Sequence, residues 1–170
     1  RIRAELANPP ELKIEKNRIV GNADAPITIV EYSDYNCGHC GTAHRTMTAL
    51  KEKYGDKVRF VFKHLPILSP TSRTAAEYVE AVRLQDPKKA YNLHHEIFVN
   101  QGDLRQGGEG FLKKMAKKVG ADVAKMEKDS KGSAVKSVIE SDIEEARKFE
   151  FSGTPGFMVN GAAVRGAYPQ

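Results

Sequence analysis

Residues 25–40 read APITIVEYSDYNCGHC, and the rest of the chain is interpreted as a scaffold around their two cysteines. Residues 25–32 are mostly apolar or β-branched and lead into turn-forming polar residues, which predicts a buried strand. Residues 42–54 carry apolar side chains at helical intervals and predict a helix. The chain's two cysteines, Cys37 and Cys40, stand at C-x-x-C spacing and therefore fall at a strand-to-helix junction.

A cysteine at the start of a helix is placed to react as a thiolate. The first N–H groups of a helix have no partner within it, so they and the positive end of the helix dipole would point at Cys37. Helix N-termini and neighbouring cations lower cysteine pKa values, and a protonated His39 would be such a cation. We therefore expect Cys37 to attack a disulfide. Cys40, one turn deeper, is expected to keep a higher pKa and to resolve the mixed disulfide.

Other roles for two cysteines explain the pattern less well. A structural disulfide across two residues closes a very short loop and adds little stability. A structural zinc site needs four ligands, and attachment of c-type haem needs a histidine where Gly41 stands. Dithiol–disulfide exchange is therefore favoured, with no cofactor and no resident metal centre. Binding of Cu(I) by the two thiolates, with the rest of the chain as a chaperone-like binding module, is the alternative.

The whole chain has the composition of an ordinary globular domain. Its 170 residues suffice for one domain with a sizeable insertion, and 40% hydrophobic and 29% charged residues are typical values. The net charge of +5 arises from basic residues interspersed with acidic ones, so we expect no nucleic-acid binding. No apolar run approaches the roughly 20 residues of a membrane-spanning helix. The sequence begins at Arg1, as expected of a mature or trimmed product.

The N-terminal segment, residues 1–17, is polar and is interrupted by two prolines. It is expected to be either an oligomerisation helix with a linker or a frayed terminus. Residues 12–20 alternate weakly between polar and apolar side chains and predict an edge strand.

The two strands around the predicted helix frame the cysteines. Residues 57–63 alternate strictly, so strand, helix and strand form a βαβ unit with parallel strands. Glu31 ends the first strand, six residues before Cys37. Near the buried sulfur it would have a raised pKa and take the proton of Cys40; an exposed strand-end carboxylate is the alternative. Lys63, at the end of the second strand, could approach Glu31 across the ladder, but a solvated strand end is the favoured expectation.

A run of helix patterns without any strand pattern follows. The patterns are Ser72–Leu84, Lys88–Val99, Glu109–Val119, Val123–Lys128 and Ser133–Phe149. The adjacent His94 and His95 lack the spacing of a zinc-binding helix and are expected at the surface. Strand patterns return at 156–160 and 162–166, joined by an Asn-Gly pair that is a strong hairpin signal. Pro155 opens the first of them and is suited to a cis bond, which would expose backbone groups to an extended peptide.

In this combination the motifs resemble the DsbA-like thiol–disulfide oxidoreductases of the thioredoxin superfamily. The matching stretches are Gly21–Tyr35, Cys37–Cys40, Phe62–Pro66, Ala75-Ala76, Gly153–Pro155 and Gly166–Pro169. The resemblance implies an α/β protein, with a thioredoxin fold built on a mixed central sheet and an all-helical insertion domain. The expected division is an N-terminal segment at 1–17, a thioredoxin domain at 18–64 and 149–170, and the insertion at 65–148.

The resemblance also implies roles for the site residues. Cys37 would attack and Cys40 resolve, while Pro155 would be the cis-proline that faces them. Thr154 would modulate the redox potential and substrate release, and Glu31 would be the family's buried acid. The insertion would cap the site with an apolar groove for unfolded or partly oxidised protein substrates in the bacterial periplasm. A membrane redox partner would reset the cysteine pair.

Two features depart from the family's pattern. The residues between the cysteines are Gly38-His39, whereas oxidase members usually carry Pro-His and eukaryotic protein disulfide isomerases carry Gly-His. Isomerase or mixed activity is therefore expected beside the oxidase branch. The family also continues into a final helix, whereas this sequence ends at Gln170, which is expected to leave one sheet face partly uncovered.

Overall fold

In the computed structural model, residues 12–165 are described, and they are organised around one central sheet. The five strands within this range are Ile19–Gly21 (β1), Ile27–Ser33 (β2), Val58–His64 (β3), Gly156–Val159 (β4) and Ala162–Arg165 (β5). They lie in the order β1-β3-β2-β4-β5. Strands β2 and β3 are parallel and the other neighbours are antiparallel, so the predicted mixed sheet is confirmed.

Six α-helices lie within residues 12–165. They are Gly38–Tyr54 (α1), Pro70–Gln85 (α2), Pro87–Val99 (α3), Gln101–Lys118 (α4), Val123–Ser130 (α5) and Ser133–Lys148 (α6). Helix α1 connects β2 to β3, as the βαβ prediction requires. Helices α2 to α6 follow one another between β3 and β4, which confirms the all-helical insertion.

Helix α4 is longer than the predicted span 109–119. It begins at Gln101 and is interrupted only at Gly108, whose backbone is left-handed (φ 55°). A glycine costs a helix only about 1 kcal/mol relative to alanine. Burial of Leu104 in the core of the insertion outweighs that cost, so the first half of the helix forms despite its glycines.

Alternating side chains of the central strands pack on both faces of the sheet. Under α1 lie Ile29, Val58, Phe60, Phe62 and Phe157, in contact with Ala43 and Met47. On the opposite face lie Val30, Tyr32, Val61 and Met158, in contact with Ala146, Phe149 and Phe151. Because it is covered on both sides, β2 is apolar almost throughout, and its end fixes where the cysteine loop begins.

The helical insertion has an apolar core of its own. Among its members are Ala75, Val79, Leu93, Ile97, Leu104, Leu112, Met126 and Ile139. The same cluster includes Tyr35, Cys37 and Cys40, which precede or begin α1. The cysteine loop therefore packs against the insertion, and the site lies where the insertion meets the sheet.

Lys63 is buried, so the expectation that it is solvated is wrong. It pairs in register with Tyr32, whereas Glu31 pairs with Phe62, so Lys63 lies on the face of the sheet opposite to Glu31. Its Nζ donates to Glu145 Oε1 at 2.6 Å, and also to the carbonyl oxygen of residue 13 at 2.6 Å. Helix α6 covers this strand end, and a partner 82 residues away leaves no signal in the local sequence.

The predicted edge strand at 12–20 is only partly formed. Strand β1 covers just Ile19–Gly21 and follows a 3₁₀ turn at Lys16–Arg18. Leu12 and Ile14 pack on a face of the sheet instead of pairing with its edge, because their apolar side chains gain more from that burial. The predicted oligomerisation helix falls largely in residues 1–11, which lie outside the described residues. The motif at 166–169 also lies outside them.

Candidate dithiol active site

Cys37 is the N-cap residue of α1, with an extended backbone (φ −82°, ψ 120°). Its sulfur accepts a hydrogen bond from the Cys40 N–H at 3.3 Å. As a thiol it donates to the carbonyl oxygen of Thr154 at 3.7 Å. A sulfur that caps a helix is stabilised as an anion by the N–H donor and by the helix dipole. The position therefore suits an attacking sulfur.

Cys40 lies one turn deeper in α1. It has no exposed surface, whereas 6% of Cys37 is exposed. Burial raises the pKa of Cys40 well above its ordinary value, and a hydrogen bond to Cys37 and the charge of Glu31 raise it further. The two sulfurs are free thiols in this structure. A buried thiol with a raised pKa needs a base when it attacks, so this sulfur suits the second step of an exchange.

The segment before β4 faces the two cysteines. The peptide bond between Thr154 and Pro155 is cis, as the sequence predicted. The Thr154 carbonyl oxygen accepts the hydrogen bond from the Cys37 thiol. A hydrogen bond with Thr154 also lowers the pKa of Cys40, although burial outweighs this effect. Although they lie more than a hundred residues apart in sequence, the two ends of the site meet because β4 pairs with β2.

Glu31 lies on β2, on the face that α1 covers. Its register partners are Phe62 on β3 and Phe157 on β4, and it is 1% exposed. Among the described residues its Oε2 has no hydrogen-bond partner. Burial raises the pKa of Glu31 to about 8, so this carboxyl holds a proton at neutral pH but loses it readily. The alternative of an exposed strand-end carboxylate is wrong.

His39 lies between the two cysteines, on the first turn of α1, with its side chain exposed to solvent. Of the six residues that the sequence predicts for the site, five are buried or half-buried around the sulfurs: Glu31, Cys37, Cys40, Thr154 and Pro155. The sixth, His39, is exposed to solvent at the rim of the site.

Asp34 organises the loop before the cysteines, a role that is not predicted from the sequence. Its Oδ1 accepts the N–H of Asn36 at 2.8 Å and the hydroxyl of Ser72 at 2.6 Å. Its Oδ2 accepts the N–H groups of Ile67 and Leu68, both at 2.9 Å. An Asp two residues before Asn at the end of a strand is a local sign of an Asx turn. The partners at 67–72 cannot be found from that local pattern.

Histidines lie at the contact between α1 and α3, so the expectation of a surface position is wrong for His94, whereas His95 is half-buried. His94 is buried, and its Nδ1 shares a hydrogen bond with the Tyr35 hydroxyl at 2.8 Å. His95 Nδ1 shares one with His44 Nε2 at 2.8 Å. Burial lowers the pKa of His44 to about 4 and that of His94 below its ordinary value. These two rings are therefore neutral at pH 7, which suits the closely packed aromatic seam.

The described residues contain no group of three or more His, Cys, Asp or Glu side chains arranged to hold a metal ion. No helix in this part of the chain is both long and apolar enough to cross a lipid bilayer.

A C-x-x-C pair at a helix start, facing a cis-proline beside a mixed sheet, defines the class of thioredoxin-fold dithiol proteins. Residues 13–169 match the family model described as thioredoxin. The chain is 31% identical to a probable disulfide bond formation protein D from Bacillus cereus, over 84% of this chain and 69% of that protein. The chain therefore belongs to the thioredoxin family.

Solved structures show the same architecture. A thioredoxin-like oxidoreductase from Silicibacter pomeroyi superposes with a TM-score of 0.80 at 30% identity, over 92% of this chain and 87% of that one. A periplasmic thioredoxin-like protein from Salmonella enterica serovar Typhimurium superposes with a TM-score of 0.72 at 23% identity, over 99% and 88%. The second likeness shows the fold alone.

Other relatives are much longer proteins. The chain is 30% identical to Na(+)/H(+) antiporter NhaA 1 from Mycobacterium sp. (strain KMS), over 91% of this chain. It spans 25% of the length of that relative.

Proposed function

We propose that this protein is a thiol–disulfide oxidoreductase that exchanges disulfides with other proteins through Cys37 and Cys40. The observation that carries the proposal is the pairing of an N-cap sulfur with a fully buried one. Cys37 accepts the N–H of Cys40 at the start of α1, while burial raises the pKa of Cys40. One sulfur is thereby suited to attack and the other to wait in its protonated form.

The first step is attack by the Cys37 thiolate on a substrate disulfide. The new bond joins Cys37 Sγ to one substrate sulfur, the substrate S–S bond breaks, and the other substrate sulfur leaves as a thiolate that takes up a proton. In the second step Cys40, after losing its proton, attacks Cys37 Sγ and releases the second substrate thiol. The enzyme pair is now a disulfide and the substrate has gained two electrons. Oxidation of a substrate is the same sequence in reverse.

Glu31 is proposed as the group that exchanges a proton with Cys40. Its carboxyl lies on the sheet face under α1. Its pKa is about 8, and a group transfers protons most efficiently when its pKa lies near the working pH. When Cys40 attacks, Glu31 would take the thiol proton. When Cys40 leaves as a thiolate in the reverse reaction, Glu31 would return it.

Thr154 and Pro155 are proposed to position the substrate chain and the sulfurs. The Thr154 carbonyl contacts the Cys37 thiol at 3.7 Å, so a substrate chain that pairs with the backbone at Pro155 would bring its sulfur to Cys37. Ile67 and Leu68 are half exposed on the loop that Asp34 holds, and they offer apolar surface to an unfolded substrate. The exposed His39 would add positive charge beside the reacting sulfur when it is protonated.

We further propose that the substrates are unfolded or partly oxidised proteins in the bacterial periplasm, and that a membrane redox partner resets the pair. The resemblance to the DsbA-like proteins supports this location, and a similar fold occurs in a periplasmic thioredoxin-like protein. Whether oxidation or isomerisation dominates depends on that partner, and Gly38-His39 favours an isomerase contribution. Oligomerisation through the N-terminal segment and the domain boundaries at 64/65 and 148/149 stay predictions.

Trapping of the mixed disulfide tests the proposal. Replacing Cys40 with Ser removes the resolving sulfur, so a disulfide-containing protein substrate should accumulate in a covalent complex with Cys37. Non-reducing electrophoresis and mass spectrometry of the Cys40→Ser variant would show the complex. The Cys37→Ser variant is the matched control and should trap far less. Absence of the complex with every disulfide substrate tried would contradict the proposal.

A further inference from the structure

One side chain of the insertion reaches into the backbone of the cysteine loop. Gln101 is the first residue of α4, and its Nε2 lies 2.8 Å from the carbonyl oxygen of Tyr35 and 2.8 Å from that of Cys37. A carboxamide nitrogen carries two hydrogens, so both of its donor positions are used on these two carbonyls. Gln101 therefore clamps the backbone on both sides of Asn36, where the chain turns into α1.

Gly41 provides the space for this carboxamide. A Cβ atom at position 41 would lie 2.2 Å from Oε1 of Gln101 and 3.0 Å from its Cδ, which is far inside van der Waals contact. The Gly41 N–H also donates to the Cys37 carbonyl at 3.1 Å, so this carbonyl accepts from both Gly41 and Gln101. Any larger residue at position 41 would have to displace the carboxamide of Gln101.

The clamp acts on the groups that stabilise the attacking sulfur. A hydrogen bond to the Cys37 carbonyl polarises the peptide unit that it shares with Gly38, whose N–H is the first of α1. It also holds the start of the helix in the position from which Cys40 N–H reaches Cys37 Sγ at 3.3 Å. Both effects favour negative charge on Cys37, and they exist only while the insertion holds α4 against the loop.

We propose that Gln101 is a positioning residue through which the helical insertion sets the redox equilibrium of the dithiol. The inference rests on the proposed function. The clamp stabilises the reduced form, in which the Cys40 N–H donates to Cys37 Sγ, and so makes the disulfide form a stronger oxidant. The sequence pattern places Gln101 between two helices and gives no sign of this role.

The redox equilibrium with glutathione measures the effect. In this reaction one oxidised glutathione takes two electrons and two protons from the Cys37 and Cys40 thiols, giving the enzyme disulfide and two reduced glutathiones. Gln101→Ala removes both donors and should shift the equilibrium constant about 3- to 10-fold toward the enzyme disulfide, the size expected for one or two hydrogen bonds. Gln101→Glu, which keeps the shape but loses both donors, should shift it at least as far.

A double-mutant cycle separates the clamp from a general loss of packing. Gly41→Ala should reproduce the shift of Gln101→Ala in the wild-type background, because the new Cβ expels the carboxamide. In the Gln101→Ala background the same substitution should change the equilibrium less than about 2-fold, since the space is then free. Gln106→Ala, an exposed glutamine on the same helix, is the matched control and should have no effect.

The outcomes are distinct. If the wild-type protein exchanges with glutathione but Gln101→Ala and Gln101→Glu leave the equilibrium unchanged, the inference is overturned and the proposed function stands. Additive effects of the substitutions at 41 and 101 would also overturn it. If the wild-type protein itself does not exchange with glutathione, the proposed function fails. Thermal unfolding of each variant, followed in parallel, shows whether a shift in equilibrium accompanies a loss of stability.

Discussion

Two buried glutamates in this protein have opposite acid–base behaviour. Glu31 is 1% exposed and Glu80 is 3% exposed, so the depth of the two carboxyls is nearly the same. Burial raises the pKa of Glu31 to about 8. Burial also acts on Glu80, but the charges of Arg83 and Arg18 outweigh it and hold the pKa of that carboxyl well below its ordinary value. The difference lies in the neighbours of each carboxyl.

Glu80 belongs to a network of buried charges that joins separate elements. Its Oε1 accepts from Arg83 Nε at 3.0 Å, and its Oε2 shares a hydrogen bond with His64 Nε2 at 2.8 Å. Arg18 Nη2 lies 3.8 Å from Glu80 Oε2 and also donates to Asp142 Oδ2 at 2.7 Å. The network connects α2, the end of β3, α6 and the turn before β1, so its charges hold the insertion against the sheet.

Glu31 has aromatic side chains as its neighbours in the sheet and no charged partner among the hydrogen bonds and ion pairs of the described residues. When Glu31 ionises, its negative charge raises the pKa of Cys40. When a carboxyl that is buried without a partner ionises, the free energy of unfolding falls. A buried carboxyl that is paired with arginines lowers the free energy of unfolding only when the pair is broken. One residue type therefore serves structure at position 80, whereas at position 31 it is proposed to serve proton transfer.

The largest expected effect comes from breaking the paired carboxyl. Glu80→Gln leaves the buried charges of Arg18 and Arg83 poorly compensated, and it should lower the free energy of unfolding by about 3–5 kcal/mol at pH 7. Urea unfolding at several pH values measures this. The folded-state pKa of Glu80 is lowered, so its contribution is present above pH 4.5 and is lost as pH falls through the lower folded value. The difference from wild type should therefore narrow in acid; full stability of the variant at pH 7 would refute the structural role.

Removing the unpaired carboxyl should have the opposite sign. Glu31→Gln should raise the free energy of unfolding by about 3 kcal/mol at pH 7, because each pH unit between 4.5 and 7 costs the wild type about 1.4 kcal/mol. The folded-state pKa is raised, so wild-type stability falls as pH rises from 4.5 to about 8, and the variant lacks this fall. Glu144→Gln, at an exposed site, is the control. A stability gain that does not depend on pH would contradict the assignment.

The same substitution should slow the resolving step. In Glu31→Gln the proton of Cys40 has no acceptor of suitable pKa, so release of glutathione from a preformed mixed disulfide at Cys37 should be about 10- to 100-fold slower at pH 7. Rapid mixing followed by acid quench measures this rate. The wild-type rate should rise with pH up to about 8, and the variant should not show that rise. Formation of the mixed disulfide is the internal control, and equal slowing of both steps would argue against a role in proton transfer.

The smallest effect is expected for an ion pair in water. Arg147 and Glu144 lie 2.7 Å apart on α6, but their side chains are 70% and 72% exposed. Arg147→Ala should change the free energy of unfolding by less than about 0.5 kcal/mol, because solvent and salt screen such pairs. Thermal unfolding at low and high salt checks this. A loss of stability as large as that for Glu80→Gln would mean that burial does not explain why the two ion pairs differ in strength.

Much of the candidate site could be predicted because its signals are local. The C-x-x-C pair, the strand before it and the proline that opens a late strand each stand in a short stretch of sequence. Helix starts and stops near Ser69 and Asp86 are likewise local, since each side chain caps the helix that follows it. Strict alternation of side chains predicts β3, and the Asn-Gly turn predicts the hairpin of β4 and β5, so these signals are local as well.

Most of the errors and omissions at the site involve partners far away in sequence. Lys63 was expected in water because its neighbours along the chain are ordinary, and its partner is on α6. His94 lies in a seam that forms only when α3 packs on α1. Asp34 and Gln101 are polar residues of unremarkable local context, and their roles come from hydrogen bonds that span 33 to 66 residues.

The two sulfurs and the proline are candidates that the sequence alone could supply, because the C-x-x-C pair and a proline that opens a late strand are local signals. The pairing of β4 with β2 then brings that proline to the cysteines. Only the tertiary structure decided which charges are paired. Whether Glu31 or Glu80 has an arginine beside it depends on how the insertion packs against the sheet. Since a buried carboxyl gains or loses its proton according to those neighbours, the acid–base chemistry of this protein is a property of its packing.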